Sequence, residues 1–79
     1  MSEQVLSYLA KSLVDRPDDV SVTAVEEGGE GDIVLELRVH PEDMGKVIGK
    51  RGRTAKALRT MVKAAATREG TNATVEIVE

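Results

Sequence analysis

A chain of 79 residues, with 14 acids against 11 bases, has room for one small domain and little for a deep catalytic cleft beside a core. The absence of cysteine excludes disulfides and thiolate metal sites, and no apolar run reaches the roughly 18–20 residues of a membrane span. Tyr8 is the sole aromatic residue, so recognition of nucleic acid on a platform of stacked rings is excluded too.

The opening MSEQVLSYLAKSL has no basic region followed by an apolar block, so no secretory leader is expected and the chain reads as a soluble cytoplasmic protein. Residues 3–14 carry Val5, Leu6, Leu9, Ala10, Leu13 and Val14 at helical spacing, with Ser2 as the N-cap. Pro17 ends that helix, because its ring disfavours a helical residue before it. Val20 to Glu26 reads as a strand with Val20, Val22 and Ala24 on one face. A glycine-rich acidic loop over 27–32 leads to a second strand, Ile33 to Val39, with Ile33, Leu35, Leu37 and Val39 on one face. The two strands are expected to form an antiparallel hairpin.

Pro41 opens a short helix ending at Ile48, with Glu42 and Asp43 placed to favour its positive end. Residues 53–68 form a longer helix with Ala55, Leu58, Met61, Val62, Ala65 and Ala66 on its apolar face. Gly70 suits the position just past its end, and Ala73 to Val78 is a last strand. The order α-β-β-α-α-β gives an α+β fold: three helices against a three-stranded mixed sheet. The two-helix connection is long enough to make the second and third strands parallel.

Charge is divided unevenly. Met44 to Arg68 holds eight of the eleven basic residues and no acid, while all 14 acids lie elsewhere. An acidic chain that keeps one long segment purely basic points to a local anion-binding surface. Within it, Gly49-Lys50-Arg51-Gly52 joins the two helices. Glycines at both ends allow a tight bend and close approach by a sugar-phosphate chain. Lys50 and Arg51 stand at the tip, and the free N–H groups of the next helix point to the same place. Val47 and Ile48 can offer an aliphatic floor to bases, though either can equally belong to the core.

Other chemistry is not supported by the spacing. His40 lacks partner ligands and reads as a strand-end or cap residue. Glu42 and Asp43 are explained by the helix dipole, and Glu26, Glu27, Glu30 and Asp32 as a solvated loop without calcium-loop spacing. The run from Gly45 has three residues between its glycines instead of four and Arg51 where a magnesium-binding hydroxyl is required, so it is not a nucleotide-binding P-loop.

VIGKRGR, set between a short and a long helix, resembles the signature of the KH domain, and the element order is similar to its type II form. The run HPEDMGKVIGKRGR from His40 to Arg53 further resembles the small bacterial KhpA family, with a likeness that covers the whole chain as a single type II KH domain, 1–79. The resemblance implies a cytoplasmic single-stranded RNA binder without catalysis or cofactor, acting as an RNA chaperone or post-transcriptional regulator linked to cell elongation and division. It implies a homodimer, or a heterodimer with a larger KH protein of the KhpB or Jag type. By position it assigns RNA contact to Gly49, Lys50, Arg51 and Gly52, to Lys46, Val47 and Ile48 before them, and to Arg53, Thr54 and Lys56 after them. The other groove wall falls on Asn72 to Val75. The rival expectation is a dimerisation module for which RNA contact is secondary.

Overall fold

The computed structural model describes residues 2–26 and 31–78. Helix α1 spans Ser2–Leu13, α2 Met44–Ile48 and α3 Arg53–Arg68; strands β1, β2 and β3 span Ser21–Glu26, Asp32–Arg38 and Asn72–Val78. The expected α-β-β-α-α-β order and the mixed sheet are both found, consistent with a type II KH fold. In the sheet β2 is central: β1 pairs with it antiparallel, Val22 opposite Leu37, and β3 pairs parallel, Leu35 opposite Val75. Most of the expected acidic loop, residues 27–30, lies outside the described residues.

The helices cover one face of the sheet. Strand periodicity of two puts Leu35 and Leu37 of β2 beside Ala73 and Val75 of β3, where they meet Leu6 and Ala10 of α1, Val47 of α2, and Leu58, Val62 and Ala66 of α3. At roughly 25 cal/mol per Å² of buried apolar area, this aliphatic cluster is the main source of stability in a chain without disulfides. Met61 does not join it. Leu58 and Val62 point at the sheet, whereas Met61 is 51% exposed on the shoulder of α3, contrary to its expected place on the apolar face. Val25, on the uncovered face of the sheet, is likewise exposed.

Local chemistry sets the element ends. Helix α1 begins at Ser2 itself, so Ser2 is the first helical residue and not the N-cap; its N–H donates to Glu69 Oε1 at 3.1 Å from beyond the far end of α3. The expected helix from Pro41 divides in two: a 3-10 turn over Pro41–Asp43, then α2. His40 caps that turn, its Nδ1 accepting from the Glu42 N–H at 3.1 Å, which agrees with its reading as a cap. Beyond α3, Gly70 takes φ 77° and the Thr71 N–H returns to Ala66 O at 2.9 Å, closing the helix in the glycine-terminated manner expected. The Asn72 N–H then donates to Gly31 O at 2.7 Å, which starts the parallel ladder.

Candidate nucleic-acid interface

Helix α2 stops because Gly49 leaves helical space. Its N–H still donates to Gly45 O at 2.8 Å, but its backbone turns to φ 76°, ψ 172°. Only glycine populates that region readily. Space forbids a side chain as well: a Cβ on Gly49 would run into Thr54 Oγ1 and stand 2.6 Å from Thr54 Cβ. Arg51 and Gly52 follow in the left-handed region, at φ 58°, ψ 26° and φ 73°, ψ 13°. A Cβ on Gly52 would meet nothing within 4 Å. The two glycines therefore do different work. Gly49 lets the turn pack on α3, and Gly52 bends an open surface.

These geometries predict unequal costs. Gly49→Ala should lower stability by about 3 kcal/mol, from backbone strain plus the clash with Thr54. Gly52→Ala should cost about 1 kcal/mol, from backbone strain alone. Urea unfolding of both variants checks the order, and equal losses would contradict it.

Arg51 is the only non-glycine residue with positive φ among the described residues. An L-residue there sacrifices roughly 1–2 kcal/mol. Both Lys50 and Arg51 are exposed, and neither forms an ion pair among the described residues. Helix α3 begins immediately after them. Its first turn contains no acid and its cap, Gly52, has no side chain to accept from the leading N–H groups. The Gly52 and Arg53 N–H groups close on Gly49 O and Lys50 O, so two cations and the positive end of α3 converge on one tight turn, an arrangement suited to anionic oxygen.

From this turn a groove runs between α3 and β3. Its near part is lined by Met44, Ile48, Gly52, Ala55, Arg59 and Ile77, and its far part by Arg59, Lys63 and residues 72–75. Of the positions assigned from sequence, Ile48 borders the groove and is 39% exposed, so it can serve as aliphatic floor. Val47 cannot offer a side chain: the same turn of α2 points it into the core, where it is fully buried. Lys46 is exposed but turned toward α1, with Nζ 3.3 Å from Asp15 Oδ2. Thr54 is half-buried beneath Gly49 and lines a separate apolar depression with Leu9, Leu13, Ala57 and Met61. Arg53 and Lys56 are exposed on α3 but do not line the groove, whereas Asn72 to Val75 do form its far wall.

Sequence reasoning passed over Met44, Ala55, Arg59, Lys63 and Ile77 as groove residues. A signal for the α3 members existed. Gly52, Ala55, Arg59 and Lys63 recur every three or four residues from the loop, so they form one stripe along α3.

Asp43, which sequence reasoning assigned to the helix dipole, is wholly buried. Its Oδ2 accepts from the Arg16 backbone N–H at 3.1 Å, and its Oδ1 lies 3.6 Å from Arg16 Nη1, longer than a hydrogen bond. Glu42 reaches the same guanidinium at 3.5 Å. The turn after α1 is thereby fastened to the start of α2, the helix that presents Gly49.

Comparison with known proteins agrees with this architecture. The family model described as the KH domain of KhpA/KhpB matches residues 3–77. An RNA-binding protein KhpA of Clostridium acetobutylicum is 59% identical over 76 residues, covering 96% of this chain and 99% of that one. The RNA-binding protein KhpA of Treponema pallidum is 49% identical over 79 residues, covering 100% of this chain and 96% of its own. Among solved structures, Era of Aquifex aeolicus bound to GDP.AlF4- superposes with a TM-score of 0.67 at 19% identity, over 96% of this chain and 29% of that chain. Era in complex with MgGDPNP and nucleotides 1506–1542 of 16S ribosomal RNA gives 0.70 at 19% identity, over 96% and 28%. At that identity the likeness concerns the fold, and this chain spans under a third of those proteins.

Proposed function

The chain belongs to the KhpA/KhpB KH-domain family, and on that premise we propose that it binds single-stranded RNA, without catalysis, through Gly49-Lys50-Arg51-Gly52 and the groove behind them. The observation that carries the proposal is the turn itself: two exposed cations with no acid partner among the described residues, Arg51 on left-handed backbone, at the start of α3. Relatives bearing the name RNA-binding protein KhpA support it. Lys50 and Arg51 neutralise phosphates, Gly49 and Gly52 permit the bend, Arg53 and Lys56 add positive field, and Ile48 supports bases. Lys46 contributes after exchanging Asp15 for a phosphate. An exposed ion pair is worth about 0–1 kcal/mol, so that exchange costs little.

A clamp on about four nucleotides makes roughly three or four phosphate contacts. The logarithm of the association constant for an unstructured RNA should then fall against log[salt] with a slope of about −2 to −3. A slope near zero would remove the basic segment from the binding surface.

The whole chain acts as a single type II KH domain in the cytoplasm, as an RNA chaperone or post-transcriptional regulator tied to cell elongation and division. One groove and a net charge of −3 give weak binding, so a homodimer, or pairing with a KhpB/Jag-type protein, raises affinity by presenting two grooves to one strand. A second reading, in which pairing is the main role, is favoured by one observation. The depression between α1 and α3 is apolar, with Leu13 40% and Met61 51% exposed, and it does not include Lys50 or Arg51. Sedimentation at micromolar concentration should give the mass of a dimer. A monomer that still binds a short RNA tightly would refute the two-groove argument.

A further inference from the structure

The groove has a cation at its centre. Arg59 borders both of its parts, between the aliphatic end at Ile48 and Ile77 and the polar end at Asn72 and Thr74. It is exposed, and among the described residues no acid pairs with it. Across from it runs β3, an outer strand whose one neighbour among the described residues is β2. Four consecutive residues of β3, Asn72 to Val75, line the groove. Side chains of a strand alternate between faces, so consecutive residues mark the edge of the strand. The wall opposite Arg59 is therefore a row of backbone N–H and C=O groups without a strand partner among the described residues.

We propose that Arg59 reads a guanine lying across the middle of this groove; the inference rests on the RNA-binding assignment above. Phosphates are drawn to the loop tip. Arg59 sits six residues beyond Arg53, about 9 Å along α3, on the wall that faces β3. A base held between the walls shows one edge to each. Guanine offers O6 and N7, two adjacent acceptors that match the parallel donors of a guanidinium. Its other edge carries N1–H and N2–H donors suited to free carbonyls of β3. Adenine would turn its N6 amino group toward the guanidinium, donor against donor. Cytosine sets O2 beside N3 as adjacent acceptors, but its opposite edge is C5–H and C6–H and gives β3 no N–H donor; uracil has no adjacent pair of acceptors. The chain has no ring positioned to substitute by stacking, since Tyr8 is its sole aromatic residue.

The test uses fluorescence anisotropy of the full chain with an oligouridine hexamer carrying one central guanine, adenine, cytosine or 7-deazaguanine. Guanine should bind at least about five-fold more tightly than adenine, the lower range for one bidentate contact, and 7-deazaguanine, lacking the N7 acceptor, should lose most of that preference. Arg59→Lys keeps the charge and the helix propensity but not the fork, so its salt slope should persist while the guanine preference disappears. A preference that survives Arg59→Lys or 7-deazaguanine, or a wild-type chain indifferent to the central base, would overturn the proposal. The doubly substituted Lys50→Asp, Arg51→Asp chain is measured beside them. If it binds as tightly as wild type, or if wild type binds none of the oligomers, the RNA-binding assignment falls and the guanine reading with it. If it loses binding while no Arg59-dependent preference exists, only the guanine reading falls.

Discussion

Replacing Lys50 and Arg51 together by Asp is expected to weaken RNA binding by at least about 100-fold, the loss of two charge-assisted contacts worth about 1.5–3 kcal/mol each. Two carboxylates at the same tip add repulsion from the RNA backbone, and the salt slope should flatten by about 1.4, the share of two lost phosphate contacts. The fold should survive, for local reasons. Both side chains are exposed. Asp tolerates the left-handed conformation that Arg51 occupies at φ 58° better than Arg does. An acid near the start of α3 is also stabilising, by about 0.3–1 kcal/mol, because it faces the positive end of the helix. Reduced binding therefore cannot be assigned to unfolding if circular dichroism and urea titration match wild type. Unchanged affinity in the folded variant would remove the loop from the binding surface.

Asp43→Ala is expected to cause the largest loss of stability among single polar substitutions, about 3 kcal/mol. The carboxylate is fully buried and accepts from the Arg16 backbone N–H. Truncation strands that donor, at a cost on the order of 1–3 kcal/mol, and opens a small void where the buried carboxylate packed. In a domain of this size the loss corresponds to a drop in Tm of roughly 10–20 °C. Arg16→Ala provides the contrast. It leaves the backbone N–H bonded but takes the cation 3.6 Å from a wholly buried carboxylate, so it should cost about 1–2 kcal/mol, less than the truncation. Calorimetry of the two variants separates the backbone tie from the ion pair. Equal losses would show that the guanidinium, not the N–H, holds the joint.

Both expectations follow from the construction of the loop. Its tip is shaped by residues close in sequence, Gly49 to Thr54, whereas the helix that presents it is held at its start, through Asp43, by a distant residue, Arg16. Charge reversal at the tip should therefore change binding with little effect on stability, and loss of the joint should change stability first.

What the sequence determined by itself is local in origin. The 3.6-residue spacing of Ala55, Leu58, Val62 and Ala66, bounded by Gly52 and Gly70, was sufficient to place α3 at Arg53–Arg68. Alternation through Ile33, Leu35 and Leu37 identified the inward face of β2. The glycine spacing marked the turn, and the absence of acids between Met44 and Arg68 marked the basic surface. Each of these signals arises from backbone geometry or side-chain chemistry within a few residues.

Tertiary structure decided the rest, because those questions concern neighbours distant in the chain. Val47 and Ile48 are adjacent and equally apolar, yet the orientation of α2 buries one and leaves the other beside the groove. Lys46 looked like a free cation until the turn after α1 brought Asp15 to 3.3 Å. Asp43 looked like a dipole residue until the same packing placed Arg16 against it. Met61 fits the helical period but lies where neither the sheet nor α1 fully covers it. Arg59 becomes a groove residue only because β3, parallel to β2, lays its edge along that side of α3. Periodicity specifies which face of an element is apolar; the positions of the other elements decide how much of that face is covered and which cations have acids beside them.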